Sequence, residues 1–176
     1  MIANIHSKYL QSVNNLSQRN LGLTGKNPSV ACMIVDYFKS PKGQVLSYGL
    51  TSIGGSPHAE VNSLNKISKN KITKKTIMYV SLEPCMKESD CCAKRILKSG
   101  IGKVFISSLD PNPLIYGKGL DFLKKNNVDL MFLDINMPFI DGISFLKKWQ
   151  SSQFYHHCSL DRCPIFYTSS HTDGYC

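Results

Sequence analysis

What most limits the folds open to this chain is the order in which two hydrophobic periodicities alternate along it. Residues 4–20 (NIHSKYLQSVNNLSQRN) place Ile5, Tyr9, Val13 and Leu16 at helical spacing, which predicts one amphipathic helix ended by the turn-rich GLTGKNPS. SVACMIVDYF and QVLSYGL then read as strands joined through residues 40–43, a hairpin with a longer loop. From there helix and strand patterns alternate. HAEVNSLNKI, starting close to His58, precedes the strand KKTIMYVSL; CCAKRILKS, stopped by Gly100, precedes KVFISSL; LDFLKKN precedes VDLMFLDI. A helix, a hairpin and repeated helix–strand units call for the α/β class, with a central mixed sheet of about five strands between two helical layers, an α/β/α sandwich.

The pattern changes after Asp134. INMPFIDGISFLKKW carries Ile143, Leu146 and Lys147 at helical spacing, and beyond Gln150 the chain is rich in Ser, His, Cys and Tyr without periodicity. The expected division is a domain over residues 1–134 and an extension over residues 135–176, with weaker order beyond residue 150. A hydrophobic fraction of 42% argues against disorder for the chain as a whole. No apolar run approaches the roughly 18 residues of a membrane span, and MIANIHSKYL lacks the apolar core of a secretion signal. Seven cysteines, an odd number without the spacing of an extracellular scaffold, suit a reducing cytoplasmic compartment with some thiols serving a metal.

The net charge of +9 raises the question of a polyanionic partner. Residues 1–75 hold ten Lys and Arg against only Asp36 and Glu60, and half of those ten are Lys66, Lys69, Lys71, Lys74 and Lys75. Arginine, the usual bidentate phosphate reader, occurs only at positions 19, 95 and 162. The expectation is a solvated basic face, with nucleic acid as the alternative partner.

The chemistry is carried by His58-Ala59-Glu60, Pro84-Cys85 and Cys91-Cys92, each where a loop or strand end meets a helix start. One neutral imidazole and two thiolates satisfy zinc and leave a fourth position for water at a catalytic site. A helix N-terminus favours the thiolate form of cysteine. Glu60 is poorly placed as a ligand and well placed to shuttle protons to and from that water. This is the H-x-E with P-C…C signature of zinc-dependent deaminases of amino-heterocycles. Six residues separate Cys85 from Cys92 and five separate it from Cys91, so either could be the third ligand. Adjacent helix residues point about 100° apart, and only one can face the metal.

The stretches LGLTGKNPSVACMIV, GGSPHAEVNSL, YVSLEPC, CAKRILKSGIGKVFISSLDPNP and YGKG together resemble the deaminase domain of the riboflavin-biosynthesis pyrimidine deaminases, over about 60% of the chain. The resemblance implies a cytidine deaminase-like fold and a hydrolase acting on a cyclic amidine C–N bond. Its substrate would be a diaminopyrimidinone carrying a phosphoribosyl chain. It also implies Zn²⁺ on His58, Cys85 and Cys92, with Glu60 as catalytic proton shuttle. Cys92 is preferred because CAKRILKSG aligns with the family helix that starts at its last ligand. Asn27, Thr51 and Lys87 would bind substrate, and Asp110 and Asn112 would line its ribose or phosphate end. A homo-oligomer and a separate reductase partner are expected, since 176 residues leave no room for the reductase domain many members carry.

Three features depart from the family pattern. The loop between the ligand cysteines is shorter and reads MKESDC, leaving Lys87 as its obvious basic group. Ala31 replaces the glycine usual after the NPxV run, and the reductase domain is missing. These departures keep two other functions open: deamination of a free base, nucleoside or tRNA, and a binding module whose altered loop has impaired catalysis. VDLMFLDINMPFIDGISFLKKW separately resembles the phosphoacceptor strand and next helix of a response-regulator receiver, with Asp134 as acceptor and Thr168 as its hydroxyl residue. The acidic pair and the later lysine that a receiver needs are missing, so the tail reads as a receiver-like fragment rather than a working phosphoacceptor.

Overall fold

The computed structural model describes residues 2–87 and 91–132. The boundary near residue 134, the extension with Asp134 and Thr168, and the cysteines at 158, 163 and 176 lie outside the described residues. Helix α1 (Ile2–Ser17) runs into a short 3-10 turn and is followed by strands β1 (Ala31–Asp36) and β2 (Gln44–Leu50). Then come α2 (Ala59–Leu64), β3 (Thr76–Val80), α3 (Cys92–Ser99), β4 (Lys103–Ile106), α4 (Lys118–Lys125) and β5 (Asp129–Phe132).

The strands form one sheet in the order β2-β1-β3-β4-β5. β1 is antiparallel to both β2 and β3, whereas β3, β4 and β5 are parallel. The mixed sheet follows from the chain. A hairpin joins β1 to β2, and each later strand returns through a helix, which makes it parallel to the one before.

β1 is buried at all six positions because helices cover both of its faces. Ala31, Met33 and Val35 join Tyr79 and Phe105 under α1, which contributes Leu10 and Val13. Cys32 and Ile34 join Met78, Val80, Val104 and Ile106 under Ala59 of α2, Ala93 and Ile96 of α3, and Leu120 and Leu123 of α4. Leu10 and Leu123 are fully buried, and each such side chain contributes about 2 kcal/mol. The expected three layers are present. α3 closes at Gly100, whose φ of 84° is the left-handed stop the sequence signals. α2 is shorter than its pattern predicts: Asn65 bonds back to Val61, and the chain turns so that Ile67 packs on the core.

Cys32 pairs with Val80, and Ala31 with Leu50. The start of β1, the end of β2 and the carboxyl ends of β3 and β4 therefore share one end of the sheet. Loops at residues 21–30, 51–58, 81–87 and 107–117 gather there, where open α/β sheets place their sites. Among the described residues no helix is long and apolar enough to cross a membrane.

Candidate active site

His58 occupies the N-cap of α2 with extended backbone (φ −71°, ψ 163°), and Cys91 occupies that of α3 in nearly the same conformation (φ −75°, ψ 165°). Cys92 is the first residue of α3, and Cys85 lies in the loop after β3. Nδ1 of His58 is 3.4 Å from Sγ of Cys92 and 3.5 Å from Sγ of Cys85. The three donor atoms all lie within 4.8 Å of one another. A tetrahedral zinc with its usual bond lengths holds N and S ligands about 3.5 Å apart, so this donor set fits the ion in both chemistry and spacing. The Ala93 N–H donates to the Cys85 carbonyl at 3.2 Å and ties the loop to the start of α3.

Of the two adjacent cysteines, Cys92 is the one beside His58. The Cys91 thiol instead meets Sδ of Met86 at 3.2 Å. Hydrogen bonding from Cys92 and then from His58 holds the Cys85 thiol well below the ordinary range. The bond to Cys85 in turn raises His58. Cys92 is pushed up by that same pairing with Cys85, by burial and by the nearby Glu60. These are the shifts of a cluster sharing concentrated negative charge, which a divalent cation relieves.

Glu60 lies in the first turn of α2 and is only 3% exposed. Burial, with the Cys85 charge adding to it, lifts its carboxyl well above the usual carboxylate range. A buried carboxyl that takes up a proton near neutral pH has the property a proton shuttle needs.

Residues outside the motif fix the position of α2. A Cβ on Gly49 of β2 would lie 2.3 Å from the Ala59 carbonyl and 2.6 Å from the Ser63 nitrogen, so only glycine lets the helix sit this close. Asn62 donates to the Leu50 carbonyl at 2.7 Å and to the Ser52 hydroxyl at 2.9 Å. Neither residue belongs to the metal-site motif. A glycine inside a strand and an amide four residues after His58 were the available signals.

The remaining predicted residues have more local engagements. Asn27 donates to the Gly55 carbonyl at 3.0 Å. Gly55 itself (φ 94°) abuts the Thr24 carbonyl and the Asn27 side chain, so its close approach is to this loop rather than to α2. Thr51 is buried, and its hydroxyl accepts the Val30 N–H at 3.0 Å. Asp110 and Asn112 each accept the backbone N–H two residues on, at 2.9 and 3.0 Å, and so shape their own loop. Lys87 lines a cavity of about 200 Å³ with Met86, Leu114, Ile115 and Lys118.

Within the basic stretch, Lys66 bonds the Tyr48 carbonyl at 2.9 Å and covers that ring, and Lys75 lies over Phe38. Lys75 adjoins Thr76, which pairs with Asp36 at the end of the sheet remote from His58.

Known proteins resemble this chain in sequence and in fold. The chain matches the cytidine and deoxycytidylate deaminase zinc-binding region over residues 3–108. It is 33% identical over 132 residues to the riboflavin biosynthesis protein RibD of Aquifex aeolicus, covering 74% of this chain and 35% of that protein. It is 37% identical over 125 residues to the diaminohydroxyphosphoribosylamino-pyrimidine deaminase of Buchnera aphidicola subsp. Schizaphis graminum, covering 69% of this chain and 80% of that one. The chain thus spans about a third of the length of relatives such as RibD and most of the shorter deaminase. Among solved structures, Acinetobacter baumannii RibD superposes with a TM-score of 0.64 at 28% identity, over 82% of this chain and 37% of that one. The dCMP deaminase of cyanophage S-TIM5 shares the fold, with a TM-score of 0.55 at 22% identity over 74% of this chain and 98% of that one. The chain belongs to the cytidine and deoxycytidylate deaminase family and, within it, to the riboflavin-biosynthesis pyrimidine deaminases.

Proposed function

We propose that residues 1–134 form a hydrolytic deaminase of a diaminopyrimidinone bearing a phosphoribosyl chain. The observation that carries this reading is the placement of the buried Glu60 carboxyl beside the His58, Cys85 and Cys92 donors. His58, Cys85 and Cys92 would hold zinc, which when bound supplies Lewis acidity that brings the pKa of water down to about 7. Glu60 takes one proton from the attacking water and gives it to the ring nitrogen, then takes the second from the new hydroxyl and gives it to the departing amine. One C–N bond is exchanged for a C–O bond, and ammonia leaves. Lys87, which lines the cavity with Met86, would meet the phosphoribosyl end. Asn27, Thr51, Asp110 and Asn112 act by holding the loops around the ring in shape.

The same reading places the protein in the cytoplasm as a homo-oligomer working with a separate reductase, and leaves residues 135–176 as a receiver-like extension. Ammonia release is the test, measured on the phosphoribosyl-diaminopyrimidinone, cytidine, dCMP, guanine and tRNA. Fastest turnover of the first compound supports the assignment, and preference for any of the others overturns it.

A further inference from the structure

Glu83 is a carboxylate 3% exposed, two residues before Cys85, and no part of the chemistry above uses it. Its Oε2 accepts the Gly117 N–H at 3.0 Å and the Asp110 N–H at 3.4 Å, and its Oε1 accepts the Gly119 N–H at 3.1 Å. Its own N–H donates to the Ser108 carbonyl at 2.9 Å. Both carboxylate oxygens and the backbone are thus committed to the loop after β4 and to the first turn of α4. A second contact fixes the same approach from the other side. A Cβ on Gly119 would lie 1.9 Å from the Pro84 carbonyl oxygen, so α4 rests directly on the backbone of the cysteine-bearing loop. A cavity lies between these two tied segments: Met86 and Lys87, which follow Cys85 in the chain, come from one, and Leu114, Ile115 and Lys118 from the other.

We infer that Glu83 is a positioning residue that ties the Cys85 loop to the loop before α4 and so sets the width of the cleft in which the substrate chain lies. The inference rests on the deaminase reading for its substrate, and on the geometry alone for the tie. The hydrogen bonds of Glu83 run to Ser108, Asp110, Gly117 and Gly119 and not to the donor cluster. Loosening them therefore changes how firmly the chain is held and leaves the reacting groups in place.

The test compares Glu83→Gln with wild-type protein. The amide keeps the shape, loses one acceptor oxygen and turns an NH₂ group toward backbone donors. The expected result is a KM raised about tenfold with kcat within about twofold, as for a displacement of well under 1 Å remote from the chemistry. Zinc content should equal that of wild type. Gly119→Ala, which pushes the same two segments apart without altering the carboxylate, should lower the unfolding midpoint and also raise KM. A residue that only stabilises the fold would lower the unfolding midpoint and leave KM unchanged, and that outcome in both variants overturns the inference. So does loss of zinc from Glu83→Gln, or a fall in kcat at constant KM.

Amide exchange at Gly117 and Gly119, measured without substrate, should be faster in Glu83→Gln, and unchanged exchange also overturns the tie. If wild-type protein does not deaminate the phosphoribosyl compound, the substrate reading falls by itself. The KM comparison is then made on whichever amino-heterocycle the protein does deaminate.

Discussion

The thiol of Cys91 rests 3.2 Å from the thioether of Met86, turned toward a soft apolar contact. Its neighbour Cys92 stands 3.4 Å from Nδ1 of His58. Two adjacent cysteines at a helix start thus have different tasks, one packing and one belonging to the donor cluster. Cys91→Ala is expected to keep the zinc content of wild type and turnover within about twofold, because a buried small side chain is exchanged for a similar one. Cys92→Ala removes one of three donors and should leave substoichiometric zinc. Metal analysis after gel filtration decides, and equal zinc loss in both variants would show that the two thiols are not distinguished.

Replacing the buried Glu60 by its isosteric amide keeps the side-chain volume, so the fold should stay intact. Glu60→Gln is expected to retain zinc and to lose between about 10² and 10⁴ in kcat, the usual contribution of a positioned acid–base group. Ammonia release and zinc content are measured on the same preparation. Turnover within about tenfold of wild type would remove Glu60 from the mechanism.

Local pattern made much of this molecule legible. The unbroken apolar run of β1 reads as a strand covered on both faces, and Gly100 is the stop residue of α3. His58, Glu60 and Cys92 are readable because their chemistry is tied to helix starts, which sequence marks well. Contacts between distant segments were not legible. Glu83 stands inside a recognisable SLEPC motif, yet its partners lie 27 to 36 residues downstream, and no periodicity announces them. DPNP reads as a loop, and the bonds of Asp110 and Asn112 to the backbone two residues on are the local turns these residue types favour. A glycine pair such as Gly54-Gly55 marks a close approach without saying to what. The chain folds residues 24–27 onto Gly55, a choice made by tertiary packing.

Gly49 is a case where packing geometry predicts a measurable cost. Alanine there would force the β2 backbone and α2 apart, since its Cβ would fall 2.3 Å from the Ala59 carbonyl. Overpacking of this kind typically destabilises by about 1–3 kcal/mol. Because α2 carries His58 and Glu60, zinc affinity should fall as well. Urea unfolding should show a lower midpoint with an unchanged slope. Gly102→Ala is the control: a Cβ there meets nothing within 4 Å, so the midpoint should barely move. Equal effects at the two positions would mean that the β2–α2 contact is not the cause.

The opposite face of the sheet predicts how stability depends on pH. His6 of α1 stacks on Phe105 with centroids 4.6 Å apart, and its Nδ1 pairs with the Tyr79 hydroxyl, which also bonds that of Tyr37. Burial, and then the charge of Lys103, lowers its pKa from 6.5 to about 4. Above pH 6.5 the imidazole is neutral whether the chain is folded or unfolded, and the group contributes no pH dependence. Between about pH 6.5 and pH 4 the unfolded chain binds a proton that the folded chain refuses, so stability falls as pH falls, and the loss levels off below about 4. His6→Phe keeps an aromatic ring against Phe105 and removes the titration, leaving the Tyr79 hydroxyl bonded to Tyr37. Urea unfolding at several pH values should therefore show a shallower decline for the variant across this window, by about one proton in slope. Parallel curves for the two proteins would mean that His6 is protonated as easily in the fold as out of it.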